Sequence, residues 1–194
     1  MFQINGKLTN KISIEDRAVQ YGDGIFETIA VKETLLEFWK EHYQRLNKGC
    51  KILKINISKK KADVVSYGHR NPQGLFYSKK YDFILSTEHG PKGGDEINII
   101  QKGKNYGWPV ITYGINYSGT PITDERSRPG MEQPFYYWVP SIAPSGMAFS
   151  SSRVYKKWKG DLFVGSLKFK YLEHLVIKKG KVVKREKILN EIGR

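Results

Sequence analysis

Phe83-Ile84-Leu85-Ser86-Thr87-Glu88-His89-Gly90-Pro91-Lys92-Gly93-Gly94-Asp95-Glu96-Ile97-Asn98-Ile99-Ile100 places two runs of β-formers on either side of a Gly/Pro loop. Phe83 to Ser86 and Glu96 to Ile100 read as strands. Glu88 to Asp95 reads as the tight connection between them, because glycine and proline set turn geometry that a strand cannot hold. The pattern recurs toward the C-terminus, where Asp161 to Ser166 and Leu172 to Ile177 are further strand runs. Lys178-Lys179-Gly180-Lys181 then turns the chain into a strand from Val182. Antiparallel strands at this spacing predict a mainly β fold, a sandwich or a propeller. At ~40–50 residues per blade, the chain beyond residue 58 has length for about three blades.

Toward the N-terminus the composition changes. All eight prolines lie beyond position 71, as do 15 of the 19 glycines and three of the four tryptophans beyond position 58. The first 58 residues therefore read as a small α+β segment. Ile25 to Val31 has strand composition. From Trp39, Leu46, Cys50 and Leu53 recur at spacings of four and three and give one apolar helical stripe. His42 and Arg45 share a face of that helix. The expected organisation is 1–58, a polar and basic junction at 59–66, and a β module over 67–194.

Cys50 is the only cysteine, so neither an intrachain disulfide nor a Cys-rich zinc site can form; its place on the apolar stripe reads as packing. No run reaches the ~18–20 apolar residues of a bilayer helix. Met1 to Gly6 lacks a basic start and an apolar stretch, so the expected location is the cytoplasm. Of the net charge of +14, residues 151–194 carry the most, with 13 basic and 4 acidic side chains. Polyanion binding is one reading of that excess. The reading taken here is solvated lysines on strand edges and turns, without a nucleic-acid motif.

Five motifs in order carry a resemblance: Gly68-His69-Arg70-Asn71-Pro72, Glu88 to Asn98, Gly103-Lys104-Asn105-Tyr106-Gly107-Trp108-Pro109, Pro140-Ser141-Ile142-Ala143-Pro144 and Gly165-Ser166-Leu167-Lys168. From about Tyr67 onward the chain resembles the soluble aldose sugar dehydrogenases of the glucose/sorbosone dehydrogenase family, which use pyrroloquinoline quinone (PQQ) with calcium. The resemblance implies a partial β-propeller and oxidation of an aldose at its anomeric carbon, with hydride passing to the quinone. It implies PQQ contacts at Arg70, Asn71, Tyr117 and Lys168, the cations suiting a tricarboxylated cofactor. Calcium ligands are implied at the carbonyls of Gly90 and Pro91, with a second ion at the Glu96 carboxylate and the Tyr106 carbonyl. The family's proton acceptor is a histidine in a part of the propeller without a counterpart here. No catalytic residue is therefore assigned, and the expected activity is incomplete. A family usually exported from the cytoplasm also stands against the absent signal. Blade edges left without neighbours imply self-association.

A second resemblance rests on Asp16 to Thr28 followed by His42-x-x-Arg45-Leu46. Over about residues 1–56 the chain resembles the N-terminus of fold-type IV pyridoxal phosphate (PLP) enzymes, the aminodeoxychorismate lyases and their aminotransferase relatives. That implies Arg45 as a grip on the cofactor phosphate and Phe26 as a pocket aromatic. The Schiff-base lysine of that family has no counterpart, so an inert segment is expected.

Overall fold

The computed structural model describes residues 2–4, 7–9, 31–32, 35–54, 65–78 and 82–190. Two compact units divide the chain, Met1–Asp63 and Val64–Arg194. Most of the predicted strand at Ile25 to Val31, together with Phe26 and the junction at 59–64, lies outside the described residues.

In the first unit β1 (Phe2–Ile4) pairs antiparallel with β2 (Lys7–Thr9), and β3 (Val31–Lys32) with β4 (Leu35–Leu36). Helix α1 (Trp39–Ile52) follows and ends at Leu53. Glu41 in its first turn and Lys51 in its last complement the helix dipole. Trp39 and Tyr43, four apart, stack at 5.7 Å. Cys50 is buried, as its place on the apolar stripe requires.

The second unit is built from two four-stranded antiparallel meanders. The first runs β5 (Pro72–Ser78), β6 (Phe83–Glu88), β7 (Asp95–Ile100), β8 (Tyr136–Trp138). The second runs β9 (Pro144–Phe149), β10 (Leu162–Ser166), β11 (Tyr171–Lys178), β12 (Lys181–Ile188). Every strand pairs with its neighbour in sequence, the local connectivity of a propeller blade. One core joins both sheets: Leu85, Ile97 and Trp138 from the first pack with Leu162, Val164 and Leu175 from the second. Gly74 lets the sheets approach, since a Cβ there would lie 2.8 Å from the Ser145 carbonyl oxygen. The same contact is fastened by Thr87 Oγ1, which donates to Ser145 O at 2.8 Å.

The mainly β expectation is borne out, with one difference. Length pointed to about three blades, and the described residues form two four-stranded sheets. The remaining length goes into the connection 101–135, where Gly103, Gly107, Pro109, Gly114, Pro121 and Pro129 interrupt any ladder and only isolated bridges form. This connection is not idle. Trp108 N–H donates to Gly68 O at 2.8 Å, and Lys92 and Ile115 exchange backbone bonds at 3.0 and 3.2 Å. Its coils thereby cover the end of the first sheet where β6 turns into β7. Among the described residues, no helix is long and apolar enough to cross a membrane.

Candidate functional site

The antiparallel register of β6 and β7 sets Glu88 directly opposite Glu96. Like charges facing each other across a ladder are destabilising unless something neutralises them. Glu88 is almost wholly buried and well supplied with donors. His69 Nδ1 lies 2.5 Å from its Oε1, Asn98 Nδ2 donates to the same oxygen at 2.9 Å, and the Arg70 backbone N–H donates to Oε2 at 3.0 Å. Glu96 receives Asn98 Nδ2 at 3.2 Å. Burial pushes its carboxyl up to about 7, the Asn98 bond opposes that, and the charges of Glu88 and Asp95 add to it. Asn98 Oδ1 is buried with no hydrogen-bond partner.

Beside these carboxylates lies a cavity of about 10 Å³, lined by Arg70, Glu88, Gly90, Glu96, Tyr106 and Trp108 among others. That is space for one water-sized species. The two carboxylates that line this small cavity, Glu88 and Glu96, are hard oxygen donors of the kind a cation such as calcium takes. The Tyr106 phenol is committed elsewhere, donating to Ile99 O at 2.5 Å and accepting from Gln101 N–H at 2.9 Å. What this tyrosine can offer an ion is its backbone.

Arg70 binds the adjoining loop. Its Nη1 donates to His89 O at 2.7 Å and to Gly90 O at 2.9 Å, and its guanidinium lies 5.3 Å from the Trp108 ring centroid. Gly90 must be glycine because a Cβ there would collide with the carbonyl groups of Gly93 and Gly94. Asp95 fixes the loop from below. Its carboxylate, 1% exposed, accepts from Gly90 N–H at 2.8 Å, Ser141 Oγ at 2.9 Å, Ile142 N–H at 2.7 Å and Ala143 N–H at 2.8 Å. The segment 141–143 in turn reaches the β10–β11 connection, where Leu167 N–H donates to Ala143 O at 2.9 Å and Lys168 N–H to Ile142 O at 3.3 Å. Arg70, the 89–94 loop, 141–143 and the backbone of Lys168 therefore share one end of the two sheets.

The residues expected from sequence are placed unevenly. Arg70, Gly90, Glu96 and Tyr106 line one cavity, and Pro91 is buried in the same loop. Asn71 accepts His89 N–H at 2.9 Å through its carbonyl, and its side chain accepts from Gln73 Nε2. Tyr117 is 74% exposed, and Lys168 Nζ sits 4.9 Å from the Phe169 ring; neither lines the cavity. Arg45, on α1 in the other unit, has Nη2 3.1 Å from His42 Nδ1. Asp95 and Asn98 carry the arrangement without having been singled out. No local signal marks them, since Asp95 binds residues 46 to 48 positions away.

The glucose/sorbosone dehydrogenase family model matches residues 43–194, more than three quarters of the chain. This chain belongs to that family. Among its curated relatives, the chain is 46% identical over 141 residues to the Escherichia coli (strain K12) aldose sugar dehydrogenase YliI, covering 72% of this chain and 38% of that protein. It is 33% identical over 111 residues to quinoprotein glucose dehydrogenase B of Acinetobacter calcoaceticus, covering 56% of this chain and 22% of that one. The crystal structure of the apo Escherichia coli soluble aldose sugar dehydrogenase superposes with a TM-score of 0.62 at 47% identity, over 70% of this chain and 40% of that one. The chain thus spans about two fifths of that relative's length. It is also 40% identical over 55 residues to the aminodeoxychorismate lyase of Vibrio harveyi, covering 28% of this chain and 20% of that protein.

Proposed function

We propose that this family member binds calcium and PQQ at the end of its two sheets and serves the oxidation of an aldose at the anomeric carbon. The observation that carries this reading is the Glu88–Glu96 pair facing a single-ion cavity under the Arg70-bound loop. Calcium would be held by Glu96 and the Tyr106 backbone, with a second position at the Gly90 and Pro91 carbonyls. Arg70 and Asn71 beside the loop, with Tyr117 and Lys168 outside the cavity, are the groups that would contact the tricarboxylate, as the family resemblance implies. When bound, the quinone supplies the hydride acceptor.

Binding, rather than turnover, is what the histidines favour. His69 is held between Ser66 Oγ at 2.8 Å and Glu88, and His89 Nε2 faces Pro144 O at 2.9 Å. His174 lies between Asp161 and Glu186, and His42 beside Arg45. None is assigned as the base that takes the sugar's proton. A cation- and quinone-binding module without turnover of its own is accordingly the second reading.

Thermal melts with calcium, with calcium plus PQQ, and with PLP test it. A ligand that binds only the folded state raises the midpoint. The expected result is a rise with calcium, a further rise with PQQ, and loss of the second rise in Arg70→Ala. No rise with either addition overturns the reading, and a rise with PLP alone moves it to the first unit. Sugar-dependent dye reduction by the PQQ-loaded chain then separates the catalytic reading from the binding one.

A further inference from the structure

The second sheet has another end, opposite the one just described, and it carries a different chemistry. The β9–β10 connection and the β11–β12 turn both lie there, because β10 pairs antiparallel with β9 and β11, and β11 with β12. Asp161 ties the two together by accepting Ile177 N–H at 3.1 Å. Residues 151–160 contain Arg153, Lys156, Lys157 and Lys159, and residues 178–181 contain Lys178, Lys179 and Lys181, with no acidic residue in either stretch. Asp161, which follows the first stretch in sequence, has its carboxylate turned inward onto His174 Nε2 at 2.9 Å.

The β9–β10 connection is also amphipathic. One hollow of about 510 Å³ is lined by Ser151, Ser152, Arg153, Lys156 and Lys159, whose side-chain stems and polar ends both face it. A second of about 420 Å³ is lined by Val154, Tyr155, Lys156, Lys157 and Trp158. Val154 is 82% exposed and Tyr155 59% exposed, large apolar side chains held in water at the tip of a cationic loop.

We propose that this end is a docking surface for an anionic phospholipid bilayer. Headgroup phosphates fit the serine- and lysine-lined hollow, and Val154 and Tyr155 enter the boundary between headgroups and acyl chains, as interfacial apolar residues flanked by lysines do. Solvation alone accounts for the lysines and not for the exposed valine and tyrosine between them. Nucleic acid would meet the cations but has no use for Val154. The Trp158 ring is closed to bases as well, being stacked on Tyr155 at 5.1 Å with Phe163 and His174 within 5.6 Å.

Sedimentation of the full chain with extruded vesicles in calcium-free buffer tests this. The expected result is capture by vesicles containing phosphatidylserine, none by pure phosphatidylcholine, and weakening as salt rises. A Lys156→Gln, Lys157→Gln double variant is expected to bind about 25-fold more weakly, roughly fivefold for each lysine near the surface. Val154→Ser is expected to weaken capture while its melting curve, and its response to calcium at the opposite end, stay as in the parent. Absence of capture, or equal capture by neutral vesicles, overturns the proposal. So does a Val154→Ser variant that binds as the parent while duplex DNA displaces the vesicles, which would make the surface a general polyanion patch.

Discussion

Glu96 faces Glu88 because the ladder puts it there, and burial, with the Glu88 charge adding to it, raises its carboxyl to about 7 beside a single-ion cavity. The unfolded side chain releases its proton near 4.5, so between about 4.5 and 7 the folded chain keeps a proton that the unfolded chain has lost. Stability from this group is complete below the lower value and disappears as pH rises through the upper one. In cation-free buffer the melting midpoint is expected to fall between pH 5 and pH 8, and Glu96→Gln to flatten that dependence. Calcium should reverse it, being favoured by the same ionised carboxylate that destabilises the metal-free protein; calorimetry over that pH range reads both. Asp95 makes a second case. Removing its carboxylate in Asp95→Ala leaves the Ile142 and Ala143 N–H groups unpaired at about 1–3 kcal/mol each. Urea unfolding is expected to show that loss, with the calcium-induced rise in melting midpoint disappearing alongside it.

At the scale of elements, His174 binds three strands. It stands on β11, with Nε2 at Asp161 before β10 and Nδ1 3.1 Å from Glu186 on β12, and its ring stacks on Phe163 at 4.7 Å. His174→Ala leaves buried Asp161 with the Ile177 N–H but without its imidazole partner, a change expected to cost about 1–3 kcal/mol in urea unfolding. Lys184→Ala, which removes only an exposed pair to Glu186, is expected to leave the unfolding curve nearly unchanged. The strands themselves were well marked in sequence: β6, β7, β10, β11 and β12 fall where runs of β-formers put them. Less visible were β8, which is only three residues long, and β5 and β9, which begin with proline and contain glycine. A short or glycine-containing strand is held by its neighbours more than by its own propensity, so its composition says little.

Across the whole second unit, the two meanders share one core, yet β5 leaves Leu75 70% exposed on the face where Tyr77 also stands. An apolar strand face of this kind invites pairing with another copy. Sedimentation velocity is expected to show concentration-dependent association, reduced in Leu75→Lys; a concentration-independent monomer would exclude this route.

Residue patterning alone determined the mainly β class, the change of composition near residue 58 and the helix from Trp39. Those are local properties, set by propensity, periodicity and turn chemistry over a few residues, whereas Arg70, Gly90, Glu96 and Tyr106 were named only by the family resemblance of their motifs. Tertiary structure decided the rest. It set Glu88 opposite Glu96, hung the 89–94 loop on Asp95 and segment 141–143, and turned Arg70 onto the carbonyls of His89 and Gly90. It also spent residues 101–135 on a covering connection rather than a third sheet. These depend on strand register and on hydrogen bonds between positions 5 to 48 residues apart. A one-residue change of register would send the same side chains to the other face of the sheet.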